Sequence, residues 1–177
     1  MDEATRPAND RQDYAEQNNF RSYGEAKMTP EQERGNHLVG CITELKCAQF
    51  FGLKFDPSVG VITNVDCKIL EVRGRRIESG RDLAIRPHDK MRLPHVLMWV
   101  DGKFTRATVV GWLCGWQGHQ RAMAAKAEAG GHDVMWQQSK GVWFIPPPYH
   151  SIVSLQDWIG AGAPLHWAPE EYRADAS

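Results

Sequence analysis

The stretch VITNVDCKILEVRGRR, residues 61–76, constrains the fold most. Its β-branched and aliphatic residues ask for strands, and a carboxylate at Asp66 is followed five positions later by Glu71, Val72 and Arg73. In an extended chain Ile69, Glu71 and Arg73 share one face while Leu70 and Val72 share the other, so a carboxylate and a guanidinium stand side by side. Asp66 is an odd number of residues from Glu71 and would point to the opposite face of a straight strand. The two carboxylates converge only where the chain bends or bulges near Cys67 and Lys68. Converging hard oxygens beside a cation suit a divalent metal that also meets a phosphate, and the same residues suit a solvated polar sheet face.

At 177 residues and 20.0 kDa the chain has room for one domain with a sizeable core. A polar arm over 1–28, a domain over 29–160 and a tail over 161–177 are predicted. The arm has almost no apolar periodicity and reads as flexible. With 21 basic and 22 acidic residues, no global field commits the protein to nucleic acid. The distribution is uneven, because residues 68–92 hold eight basic side chains against four acidic ones. Four cysteines at 41, 47, 67 and 114 lack CxxC spacing and predict reduced thiols in a cytosol. His37 and Cys41 lie four apart on a predicted helix without a second pair at ligand spacing, which favours a packed thiol over zinc. No apolar run approaches the roughly 20 residues of a membrane span.

Thr29, Pro30 and Gln32 form a helix start, and apolar residues recur at helical spacing from Leu38 to Phe51, with Gly52 as the stop. Glu44 falls at the margin of the apolar face. DLAIRP, HVLMWV and FTRATVVGWL read as strands, the last ending at Gly111. HQRAMAAKAEA, residues 119–129, reads as a second helix, and GVWFI and SLQDWI as a short strand and a short helix. The predicted class is α/β, a central mixed sheet of about four to five strands flanked by helices.

The order of these pieces resembles the restriction-endonuclease-like PD-(D/E)xK superfamily, and within it small phage and prophage proteins. The matching pieces are GCITEL around Glu44, DCKILEVRGR from Asp66, DLAIRPHD from Asp82, HVLMWV and GWLCG, within roughly residues 35–155. The resemblance implies a nuclease that hydrolyses DNA phosphodiester bonds with Mg²⁺ or Mn²⁺. Asp66, Glu71 and the Val72 carbonyl would hold the metal, with Glu44 an accessory carboxylate. Arg73 stands at the lysine position, where it stabilises charge but cannot act as a base; Lys68 is a candidate displaced lysine. Arg75, Arg76 and Arg86 would track the nucleic-acid backbone. Thr43 stands where the relatives' helix has glycine. The alternative is an inactive nuclease-fold module that binds nucleic acid or a phage or host protein, or a virion-associated structural protein. The expected location is the host cytoplasm, or the virion, with a homo-oligomer compatible with either.

Overall fold

The computed structural model describes residues 29–55, 67, 69–137, 141–162 and 169, together with 5–6, 8–10 and 13 near the N-terminus. The first long element is α1 (Pro30–Phe51), and it begins as its sequence dictates. The Thr29 hydroxyl accepts the Gln32 N–H at 3.3 Å, and the Gln32 side chain accepts the Thr29 N–H at 2.9 Å. Gly52 ends the helix in the left-handed conformation, φ 65°, and its N–H bonds the Ala48 carbonyl. Val39, Cys41, Ile42, Leu45 and Ala48 are buried as the periodicity predicts. Thr43 and Glu44 are buried with them, so Glu44 lies within the packed face and not at its margin.

Among the described residues six strands and two further α-helices follow: β1 (Glu71–Arg76), β2 (Leu83–Ile85), β3 (Pro94–Val100), β4 (Ala107–Cys114), α2 (Gly115–Glu128), β5 (Trp136–Gln137), β6 (Val142–Ile145) and α3 (Ile152–Gly160). The α/β class holds, but the strands form two three-stranded sheets and not one of four or five. The first sheet has the order β1-β3-β4, with β1 parallel and β4 antiparallel to β3; the second, β2-β6-β5, is antiparallel throughout. On one side of the first sheet Val72, Val96 and Met98 pack with Ala48 of α1 and with Leu155 and Trp158 of α3. On the other, Leu97 and Leu113 meet Leu83, Ile85 and Ile145 of the second sheet and Ala122 of α2.

The division falls between β1 and β2, where side chains replace backbone pairing. Arg73 Nε donates to the Ala84 carbonyl at 3.2 Å and Arg75 Nη1 to the Asp82 carbonyl at 2.8 Å. Asp82 and Ala84 are two residues apart, so their carbonyls point to the same edge of β2, away from β6. Two guanidinium groups thus satisfy an edge that a neighbouring strand would otherwise cover.

Other boundaries move for local reasons. β4 continues through Gly111 to Cys114, with a register shift opposite Leu97 and Met98. α2 starts at Gly115 and not at 119, because the Gly115 and Trp116 N–H groups are taken by the Leu93 and Met91 carbonyls at 3.1 and 2.7 Å. The two-residue β5 carries too little pattern to be read from sequence. Of the N-terminal region, Ala8 is 1% exposed and belongs to one apolar cluster with Val39, Ile42, Leu45 and Val100. Among the described residues no helix is long and apolar enough to cross a membrane.

Helix α1 and strand β1 approach closely at Gly74. A Cβ there would lie 2.2 Å from Thr43 Oγ1 and 2.9 Å from Thr43 Cγ2. Thr43 is fixed in turn by donating to the Val39 and Gly40 carbonyls at 2.8 and 2.9 Å. The strand glycine therefore supplies the room that a helix glycine would otherwise give. Gly74→Ala should cost about 1–3 kcal/mol, the usual range for overpacking, and Thr43→Ala should recover part of it. Chemical denaturation of the two single variants and the double variant measures both.

Candidate functional site

The chain reaches β1 through a tight turn. Cys67 has φ 52°, and the Ile69 N–H bonds the Cys67 carbonyl at 2.8 Å. A non-glycine residue in the left-handed region bends the chain locally. The Cys67 thiol donates to the Glu44 carbonyl at 3.7 Å and ties the turn to α1. Asp66 and Lys68 lie outside the described residues.

Strand alternation then places Glu71, Arg73 and Arg75 on the face toward β2, while Val72 is buried on the other face, in the core with α1. Arg73 is the hub. Its Nη1 lies 3.3 Å from Glu71 Oε2, its Nη2 lies 2.7 Å from Asp89 Oδ2, and its Nε holds the Ala84 carbonyl. The three side chains are 13%, 14% and 6% exposed for Glu71, Arg73 and Asp89, so these contacts are shielded from bulk water.

Asp89 arrives through a turn written in the sequence. In Arg86-Pro87-His88-Asp89 the proline occupies the second position, the Asp89 N–H bonds the Arg86 carbonyl at 3.1 Å, and the Arg86 N–H bonds Asp89 Oδ2 at 2.7 Å. His95, opposite Glu71 in the β1–β3 register, is fully buried, with Nδ1 3.8 Å from Asp89 Oδ2. Neither of its ring nitrogens closes a well-formed hydrogen bond.

The carboxylates differ in how well they are neutralised. Burial raises Glu71, the negative charge of Asp89 adds to the rise, and Arg73 offsets it only in part, so its pKa stands above the ordinary value. Burial also pushes Asp89 up, but Arg73 and the Arg86 N–H outweigh it and hold its carboxyl low. His95 is driven down to about 3, first by burial and then by the charge of Arg73, against the opposing pull of Asp89 and the Lys90 backbone. With His95 neutral, two carboxylates share one guanidinium, and Glu71 is the under-compensated partner.

The remaining sequence candidates separate. Arg75 is committed to the Asp82 carbonyl and lies over the Phe144 ring at 5.1 Å; Arg76 is exposed and lies over Phe104 at 5.5 Å; Arg86 is exposed at the turn. Glu44 is buried next to the Cys67 turn through its backbone. Sequence reasoning missed the site roles of Asp89 and His95. The R-P-x-D turn signalled a loop but not its carboxylate's partner, and His95 is a polar residue in an otherwise apolar strand, a pattern that marks burial without naming a contact. Among the described residues no group of three or more histidine, cysteine or acidic side chains converges as a metal cage.

These shifts set a pH profile. Asp89 contributes stability that is complete above its ordinary value of 3.8 and lost as the pH falls through its depressed folded value. His95 acts in the same direction over a higher window: the unfolded chain protonates it near 6.5 and the fold resists down to about 3. Stability should therefore fall between these limits by up to about 1.4 kcal/mol per pH unit. Glu71 opposes them, because its ionised form costs stability above 4.5. In thermal unfolding followed against pH, His95→Gln should flatten the acid limb, and Glu71→Gln should raise the melting temperature at neutral pH with the gain gone below pH ~4.

No protein-family model, no curated protein and no solved structure matches this chain significantly.

Proposed function

We propose that the chain is a metal-dependent phosphodiesterase acting on DNA, with its centre at Glu71 and Arg73. The observation that carries the reading is the Glu71 carboxylate, 13% exposed and raised in proton affinity, four residues after the left-handed Cys67. A carboxylate whose proton affinity is raised by burial, with a second carboxylate adding to the rise, gains from a cation, and hard oxygen donors favour Mg²⁺ or Mn²⁺. The donor set of this reading is Glu71, Asp66 and the Val72 carbonyl. The chemistry such a cation supplies when bound is polarisation of a phosphoryl oxygen and of water.

The protein's own groups do the rest. Arg73 is held from two sides by Asp89 and the Ala84 carbonyl, so its charge is fixed in place before a phosphate arrives and needs no reorganisation. It stays protonated throughout and removes no proton from the attacking water. Arg76 and Arg86, both exposed, offer further contacts to the nucleic-acid backbone.

One observation favours a second reading, a non-catalytic module of the same fold that binds nucleic acid or a protein. Arg73 already has two carboxylates and a carbonyl as partners, which is how a structural pin is built.

Calorimetric titration with Mn²⁺ and cleavage assays on single- and double-stranded DNA decide between them. The enzyme reading expects metal binding and metal-dependent thermal stabilisation, both lost in Glu71→Ala along with cleavage. Arg73→Lys should then keep activity, since lysine preserves the charge. The module reading expects no metal effect and no cleavage; a loss of about 1–3 kcal/mol in Arg73→Lys from the broken multi-point contact is expected under both readings.

A further inference from the structure

The β1–β3 register that sets Glu71 opposite His95 also sets Arg75 opposite Trp99, on the same sheet face and about 13 Å further along the strand. There the chain turns back through Ile77–Ser79 and brings Arg81 over the Trp99 ring at 5.5 Å from its centroid. Arg75 lies over Phe144 beside it, and the Arg75 guanidinium is 4.0 Å from the Cβ position at Gly80. Two guanidinium groups and two half-buried aromatic rings thus meet beyond the end of the site. In this stretch Arg75, Arg76 and Arg81 stand against Glu78, so the surface is positive as well as aromatic.

We infer that this end of β1 binds single-stranded nucleic acid, with a base stacked at Trp99 and a phosphate paired with Arg81. An exposed arginine on an aromatic face is held by only about 0.5–1 kcal/mol, whereas a base stacked on such a ring contributes about 1–3 kcal/mol. A base therefore displaces the exposed Arg81 from Trp99, or stacks on the outer face of its guanidinium, and Arg81 is free to meet the adjoining phosphate. A duplex gains less, because its bases are already stacked on one another and only its phosphates are offered. Arg75 stays on Phe144 and the Asp82 carbonyl and keeps the platform rigid. The inference deepens the nuclease reading by naming the form of its substrate, and it is tested by binding without metal so that the two can fail separately.

The test is fluorescence anisotropy of the full chain in EDTA with a labelled oligothymidylate, the matching oligouridylate and a duplex of the same length. Either single strand should bind about tenfold more tightly than the duplex, the equivalent of one retained stack, and a preference between the two names the natural strand. Arg81→Glu changes an exposed side chain and should weaken single-strand binding about tenfold. Tryptophan fluorescence should be quenched on binding, less so in Trp99→Phe. Equal or tighter binding of duplex, wild-type affinity in Arg81→Glu, or an unchanged quench in Trp99→Phe overturns the inference. Tight single-strand binding without any metal-dependent cleavage leaves it standing and removes the nuclease reading alone.

Discussion

The contact on which the rest of the structure depends is the one Arg73 makes with three partners at once. From β1 it reaches Glu71 on its own strand, Asp89 on the turn after β2 and the Ala84 carbonyl within β2. A lysine offers one compact charge at the end of a flexible stem; the planar guanidinium has donors pointing in several fixed directions and satisfies all three acceptors from one position. Removing it would leave two buried carboxylates facing each other with no cation between them, a larger penalty than the loss of any single hydrogen bond. The same group that sets the charge of the site therefore also ties the two sheets together.

This sharing explains why the site tolerates unequal carboxylates. Asp89 takes the shorter contact, 2.7 Å, together with a backbone N–H, and is held low; Glu71 takes the longer one, 3.3 Å, and is left high. His95 beside them stays neutral because burial and Arg73 both oppose a second positive charge. The asymmetry comes from turn chemistry and strand register, not from the identity of the two acids. A reading of residue types alone would treat the acids as equivalent.

What was legible in the sequence follows the range of the interactions involved. The start of α1 at Thr29, its stop at Gly52, the strand HVLMWV and the side-by-side placement of Glu71 and Arg73 are local consequences of capping, glycine and alternation, and each stands where the pattern puts it. Cys67 takes a left-handed conformation, while Asp66, whose convergence with Glu71 would need a bend there, lies outside the described residues. The division into two sheets was not legible, because a side chain substituting for a strand leaves no periodic trace. Nor was the burial of Glu44, since a single carboxylate inside an apolar face looks like its margin until the opposing turn is in place. The partner of Asp89 depended on register between elements some sixteen residues apart, and no local pattern encodes that.

The arginine-sealed edge of β2 has a bearing on how the protein behaves in company. A strand with open carbonyls invites another chain to add itself, and most proteins blunt such edges with charge, proline or a covering element. Here the covering element is a pair of cations whose donors already fill the carbonyls of Asp82 and Ala84. An incoming strand would have to displace both guanidiniums and leave buried carboxylates bare before forming its first ladder bond. The residues that charge the site thus also act as gatekeepers, keeping a short, largely apolar sheet from templating its own assembly.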